Sequence, residues 1–363
     1  MKFTVSSQVE TIKPYEAGKP LSELEREYGI KNAVKLASNE NPLGCSPRVT
    51  EAVQGAFPHL HRYPDPTAPA LCEKLCDLYG IQMENLVLGN GSDEVIALLC
   101  HAFLNAGDEA LMPLPSFLMY EICVKTAKGS PIMVPLKGVE TDLDALVQGV
   151  TDKTRMVFIT NPFNPTGGVI TREEFENFAR QIPEDVLIIV DEAYAEFVRD
   201  KGVFNSLEAP LVDKRIVSLR TFSKAYGLAG FRVGYGVMDR DVAEVLHRIR
   251  PPFNVNALAQ VAACAALEDR DFLNKSVKLA HDGLDELTRG LGAMGLECLP
   301  SQANFLMVDV KQDAAQVFKA LLKHGVITRA MASYGFGNHL RVSVGTPEEN
   351  QLFLTALQRV LEA

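Results

Sequence analysis

Lys224 lies in the run Thr221-Phe222-Ser223-Lys224-Ala225-Tyr226-Gly227, just past an apolar stretch, with Arg232 eight positions later. On its own, a lysine there reads as a surface residue. Three other motifs follow three other apolar stretches. Asp191-Glu192-Ala193-Tyr194 puts a carboxylate at the end of Val186–Val190, which is costly to bury unless a cation faces it; alone it reads equally as a solvated loop acid. Asn161-Pro162-Phe163-Asn164-Pro165-Thr166-Gly167-Gly168 is dense in turn-forming residues and by itself is a tight loop. Leu88-Gly89-Asn90-Gly91-Ser92-Asp93-Glu94 opens the apolar stretch Val95–Phe103, so Ser and Asp cap a helix whose first N–H groups suit a phosphate. The G-x-G-x-x-G spacing of a dinucleotide site is not met. Together the four motifs supply a Lys, an Asp, an Asn, a Tyr and an Arg beside a phosphate-cradling turn. That set matches an aldehyde cofactor with a ring nitrogen and a phosphate, the Lys forming the Schiff base.

Such residues need a frame. Strand candidates are Asn85–Leu88, Glu109–Met112, Ser130–Val134, Arg155–Thr160, Val186–Val190, Ile216–Leu219 and Val233–Val237, with helical patterns between them. Several are unbroken Val/Ile/Leu runs, as strands buried on both faces should be, so an α/β fold with a mostly parallel sheet wrapped by helices is predicted. Functional loops then belong at the carboxyl ends of the strands. Residues 1–45, punctuated by Pro14, Gly18, Pro20, Pro42 and Gly44 with one helical pattern at Leu21–Tyr28, read as an arm or lid. A large α/β domain over 46–252 follows. A smaller α+β domain over 253–363 has long Ala/Leu-rich helices and strands at Asn304–Asp309 and His339–Val344.

Composition narrows the classes. Lys plus Arg number 36 and Asp plus Glu 46, giving a net charge of −10, which argues against nucleic acid as a partner. No apolar run approaches the roughly 20 residues of a membrane span, and the first residues lack the apolar core of a secretory signal. The seven cysteines are odd in number and scattered. Cys72 and Cys76 read as one apolar helix face rather than metal ligands, because no second pair or histidine completes four. A cytoplasmic protein without a metal is the resulting expectation.

The order and spacing of the four motifs resemble the fold-type I, pyridoxal-phosphate-dependent aminotransferases of class I/II, over nearly the whole chain. The resemblance implies that Lys224 carries the cofactor and shuttles a proton, and that Asp191 pairs with the pyridine nitrogen. Asn164 and Tyr194 would bond the ring oxygen. The backbone of Gly91, Ser92 and Asp93, with Ser223 and Arg232, would hold the phosphate. Phe117 stands where many relatives carry Tyr; stacking on the ring survives, the hydroxyl contact is lost. Tyr63 would reach the phosphate from the partner of a homodimer.

Closer features are Pro14-Tyr15-Glu16-Ala17-Gly18-Lys19-Pro20, Leu36-Ala37-Ser38-Asn39-Glu40-Asn41-Pro42, Arg62-Tyr63-Pro64-Asp65 and Leu340-Arg341-Val342-Ser343-Val344-Gly345-Thr346. These look like the histidinol-phosphate aminotransferases, which implies histidinol phosphate and glutamate/2-oxoglutarate as substrates. One pocket must then take a carboxylate and a phosphate in turn, which suits arginine. Arg341 is assigned to the shared anion, Arg329 and Tyr15 to the substrate phosphate, and Asn41 to the substrate site. Three other readings share the pattern: an aromatic amino-acid aminotransferase, a threonine-phosphate decarboxylase, and a non-enzymatic cofactor sensor. The last is weakened because no helix-turn-helix module precedes the domain.

Overall fold

Strands that are apolar on both faces are stable only inside a covered sheet. In the computed structural model, which describes residues 4–14, 18–208 and 213–362, seven such strands form one. They are β1 (Leu86–Gly89), β2 (Glu109–Leu114), β3 (Ser130–Pro135), β4 (Thr154–Thr160), β5 (Leu187–Asp191), β6 (Ile216–Thr221) and β7 (Gly234–Val237). Their order is β1-β7-β6-β5-β4-β2-β3. β7 runs antiparallel to both neighbours; the remaining pairs are parallel. Each strand expected from the sequence is present, with ends within two residues of the predicted ones.

Strand alternation decides what each face holds. Met156, Phe158, Ile189, Val217 and Leu219 pack under helix α1 (Ser92–Phe103) and helix α2 (Leu118–Thr126), with Val95, Ile96, Leu99 and Tyr120. Val157, Ile159, Ile188 and Val190 face the other way, onto Phe175, Phe178 and Ile182. Burying each such side chain stabilises the fold by about 1.5–3 kcal/mol. Thr160 is in register with Asp191, and Asp191 with Leu219, so β4 and β5 end level, β6 runs two residues further, and their following loops meet at one edge.

Beyond β7 come helices α3 (Ala257–Glu268) and α4 (Arg270–Ala293), then strands β8 (Glu297–Cys298) and β9 (Phe305–Asp309). Helix α5 (Ala314–Lys323), strands β10 (Arg329–Ala330) and β11 (His339–Ser343) and helix α6 (Pro347–Glu362) complete the chain. The four strands form an antiparallel sheet ordered β10-β11-β9-β8. β8 and β10 are two residues long, too short for any periodicity to mark them. Helix Leu21–Tyr28 of the N-terminal arm matches its sequence pattern. The next segment, Val34–Lys35, pairs in parallel with Val326–Ile327, a pairing the sequence did not signal. Leu36 extends this lacing: its N–H donates to Ile327 O and its carbonyl accepts from Ser343 N.

Candidate active site

These strand ends open a cleft of about 290 Å³, near the lower end of small-molecule sites at roughly 300–1,000 Å³. Its first corner is the β1–α1 turn. Gly91, at φ +80, rather than Ser92 or Asp93, occupies the N-cap of α1, leaving the Ser92 and Asp93 amides in the first turn. A Cβ on Gly91 would meet the Arg232 guanidinium at 2.5 Å, and one on Gly234 would strike the Ser92 amide; only glycine leaves this cradle open. Arg232 Nη1 donates to Ser223 Oγ at 3.3 Å and Nη2 to Asp93 Oδ2 at 3.2 Å. Burial pushes the Asp93 carboxyl above its usual range and Arg232 opposes this. Helix N–H groups, a hydroxyl and a guanidinium converge here as anion donors.

The second corner is the end of β5. Asp191 is 6% exposed and on the same face as Ile189. Its carboxylate accepts from Tyr120 OH at 2.6 Å and from Ala193 N at 3.1 Å. Burial pushes its pKa to about 6, while those two donors pull it down. Tyr120 is itself fixed, stacked on Phe158 at 4.6 Å and hydrogen-bonded to Thr160 Oγ1 at 2.9 Å. Glu192 is fully buried on the opposite side, where its carboxylate accepts from Arg220 Nε at 3.0 Å and from Ser206 N at 2.8 Å. The adjacent acids thus part: one faces the cleft, the other a buried arginine.

The loop after β6 brings Lys224 in, its Nζ donating to Ser38 O at 3.1 Å and lying 5.8 Å from the centre of the Tyr194 ring. Phe117 precedes α2 and contacts Tyr120 edge-on at 5.6 Å. Asn164 links two walls: its Nδ2 donates to Tyr194 OH at 3.3 Å, and its Oδ1 accepts from Arg341 Nη1 at 2.6 Å. On the small sheet Arg329 and Arg341 are directly opposed across β10 and β11, both lining the cleft.

Residues 31–357 match the family described as aminotransferase class I and II. The chain belongs to the class I and II aminotransferases. It is similar to histidinol-phosphate aminotransferase 2 of Carboxydothermus hydrogenoformans, with 46% identity over 99% of each chain. A second relative is the histidinol-phosphate aminotransferase of Moorella thermoacetica, 43% identical over 97% of this chain and 91% of that one. Among solved structures, the histidinol-phosphate aminotransferase of Sinorhizobium meliloti in complex with pyridoxal-5'-phosphate superposes with a TM-score of 0.91. It is 28% identical, covering 99% of this chain and 97% of that one. The fold is accordingly that of the fold-type I enzymes.

Most residues assigned from the sequence meet in this aminotransferase's cleft: Ser92, Asp93, Phe117, Asn164, Asp191, Tyr194, Ser223, Lys224, Arg232, Arg329 and Arg341 line it. Asn41 does not; its Nδ2 donates to Ala225 O at 2.9 Å and Ser276 Oγ at 2.8 Å, pinning the arm to the loop of Lys224 and to α4. Tyr63 is 82% exposed and stacks on Phe253 at 4.6 Å, outside its own chain's cleft. Tyr15 lies outside the described residues. Sequence reasoning missed Tyr120, Asn39 and Tyr334, which also line the cleft. Tyr120 is masked by the apolar pattern of its helix. Asn39 was one of four polar residues in a row, with nothing local to single it out.

Proposed function

We propose that this aminotransferase uses pyridoxal 5'-phosphate to exchange an amino group between L-histidinol phosphate and 2-oxoglutarate, in histidine biosynthesis. The facing pair Arg329 and Arg341 carries the reading. Guanidinium groups accept carboxylate and phosphate alike, so one arginine-rich wall serves a substrate with a phosphate and one with a carboxylate. The two relatives described above bear the name histidinol-phosphate aminotransferase.

The residues fit the cofactor. A buried carboxyl raised to about 6 is returned to carboxylate by a cationic N–H, which a protonated pyridine nitrogen provides. The Gly91 turn, Ser223 and Arg232 form a cradle that a single Cβ would fill. When bound, pyridoxal phosphate supplies an aldehyde for amine exchange and a ring that absorbs charge left by loss of a substrate proton. Lys224 Nζ moves the proton taken from the substrate Cα. Asp191 holds the proton at the ring nitrogen, Tyr194 and Asn164 donate to the ring oxygen, and Phe117 covers one ring face. The backbone amides of Ser92 and Asp93, with Ser223 and Arg232, hold the phosphate.

The reading includes a homodimer in which Tyr63 serves the neighbouring site. Phe57, Leu60 and Tyr63 are exposed apolar side chains on one segment, as an interface requires. It also includes an arm (1–45) working with a smaller domain (253–363) over a large domain (46–252), and a cytoplasmic location, in keeping with seven free thiols. Single-turnover reactions with histidinol phosphate, phenylalanine and threonine phosphate test the reading. Histidinol phosphate should react with the largest kcat/KM and keep its carbon skeleton. Preference for phenylalanine, or carbon dioxide release from threonine phosphate, would overturn it.

A further inference from the structure

Asn39 is 1% exposed and adopts φ +55, a conformation unusual for any residue but glycine. Every polar group it carries is engaged. Its backbone N–H donates to Ser343 Oγ at 2.9 Å and its carbonyl accepts from Asn304 Nδ2 at 3.1 Å. Ser343 Oγ in turn donates to Asn39 Oδ1 at 2.8 Å, which turns the amide so that Nδ2 donates to Tyr194 OH at 3.0 Å. Asn164 is turned in the same manner. Arginine can only donate, so Arg341 Nη1 takes Asn164 Oδ1 and leaves Nδ2 for the same hydroxyl at 3.3 Å.

A phenol oxygen has two acceptor sites and one hydrogen. With two amide N–H groups filling the acceptor sites, the hydrogen is left to point into the cleft. We propose that Asn39 is a positioning residue that, with Asn164, fixes the Tyr194 hydroxyl as a hydrogen-bond donor aimed at the ring oxygen of the cofactor. The inference rests on the proposed use of pyridoxal phosphate. The charged groups facing Tyr194 come from three elements: Arg341 from β11, Lys224 from the loop after β6, and Asp191 from the end of β5. Two of them also touch the arm beside Asn39, Lys224 Nζ donating to Ser38 O and Arg341 Nη2 to Ala37 O, so the variants are compared with and without the Tyr194 hydroxyl. Ser343 is two residues from Arg341 on β11, so the arm joins the anion-binding strand to the hydroxyl through two hydrogen bonds.

The test reads the visible absorption of cofactor-loaded protein against pH, together with the Kd of pyridoxal phosphate by equilibrium dialysis. Donation to the ring oxygen favours the deprotonated, Lys224-linked chromophore, so losing it raises the pH midpoint of the spectral change. Asn39→Gly removes the amide while relieving the backbone at φ +55; it should raise the midpoint by roughly one pH unit, the worth of one hydrogen bond. Ser343→Ala, which frees the amide to turn, should give a smaller shift in the same direction. In a Tyr194→Phe background Asn39→Gly should add no further shift, because the effect passes through that hydroxyl. An unchanged midpoint in Asn39→Gly, or the same shift with and without the Tyr194 hydroxyl, overturns the inference, whatever happens to Kd. Wild-type protein with no Lys224-dependent visible band would instead overturn the cofactor reading on which it rests.

Discussion

The floor of the cleft hangs from the carboxyl edge of a seven-stranded sheet, whereas its roof combines an arm with an antiparallel sheet whose outer strand is two residues long. On the floor each polar group is placed by a strand buried on both sides. Asp191 inherits its direction from Ile189, two positions earlier, and is held there by a tyrosine that is itself stacked. The roof is held by long-range pairings: Leu36 between Ile327 and Ser343, Asn39 on Ser343, Arg341 on the Ala37 carbonyl. A rigid floor suits chemistry that is the same for every amino donor. A roof that carries two facing arginines suits selection among donors, because guanidinium groups pair with the anions by which the donors differ. Floor substitutions should therefore damage all donors equally, and a roof substitution at a group that meets only one donor's anion should discriminate.

The largest effect belongs to Lys224. Lys224→Ala should lower turnover by on the order of 10⁴-fold or more, since proton transfer alone contributes about 10²–10⁴ and attachment of the cofactor is lost as well. The loss should be the same for histidinol phosphate and glutamate, with an unchanged circular dichroism spectrum. Asp191→Ala follows, with a loss of several orders of magnitude and weaker cofactor binding by dialysis. If either variant spared one donor, the floor would be choosing substrates and the division of labour would fail.

The roof gives smaller effects, shared at Arg341 and selective at Arg329. Arg341→Gln should impair the glutamate and histidinol phosphate half-reactions alike. Arg329→Gln should impair histidinol phosphate far more than a phosphate-free aromatic amino acid. Loss of a charge-assisted hydrogen bond costs about 1.5–3 kcal/mol, or ten- to a hundredfold in kcat/KM. Single-turnover rates with each donor separate the steps; equal loss on all donors for Arg329→Gln would dissolve the distinction between the two arginines.

Tyr63 belongs to neither wall of its own chain. If the proposed dimer forms, mixing inactive Lys224→Ala subunits with Tyr63→Ala subunits should restore a fraction of wild-type activity, because a hybrid dimer would hold one intact site. Proven subunit exchange without any rescue would assign Tyr63 to its own chain.

The same contrast explains what could be read from the sequence. Continuous Val/Ile/Leu runs marked the floor strands to within two residues, and the motifs after them gave Lys224, Asp191, Asn164 and Arg232. The roof was less legible. β10 and the strand Val34–Lys35 exist only through their partners, and a two-residue strand has no period. Asn39 and Asn41 stand two apart in one polar run; only the fold turns the first toward Tyr194 and the second toward Ala225. Tyr120 looked like one more apolar helix residue because most of its surface is packing, and its role lies in a single oxygen.

The smallest effect tests the floor through pH. Burial raises the Asp191 carboxyl from the ordinary 3.8 to about 6. Between those values the folded protein holds a proton that the unfolded chain has released, so this group's contribution to stability falls as pH rises through that window. Above about pH 6 the full penalty of an ionised buried carboxylate is present. A pyridinium N–H facing Asp191 favours the carboxylate and removes the penalty. Saturating pyridoxal phosphate should therefore raise Tm more at pH 7.5 than at pH 5, by roughly a few degrees. Asp93, also raised by burial but beside Arg232, titrates in the phosphate cradle and is unaltered in Asp191→Asn. That variant, which cannot ionise at position 191, should lose the pH dependence of the gain while keeping part of the gain itself. Melting curves of loaded and unloaded protein at the two pH values measure it. The same gain at both pH values in the wild type, or an undiminished pH dependence in Asp191→Asn, would show that the floor's buried carboxylate does not meet a cation.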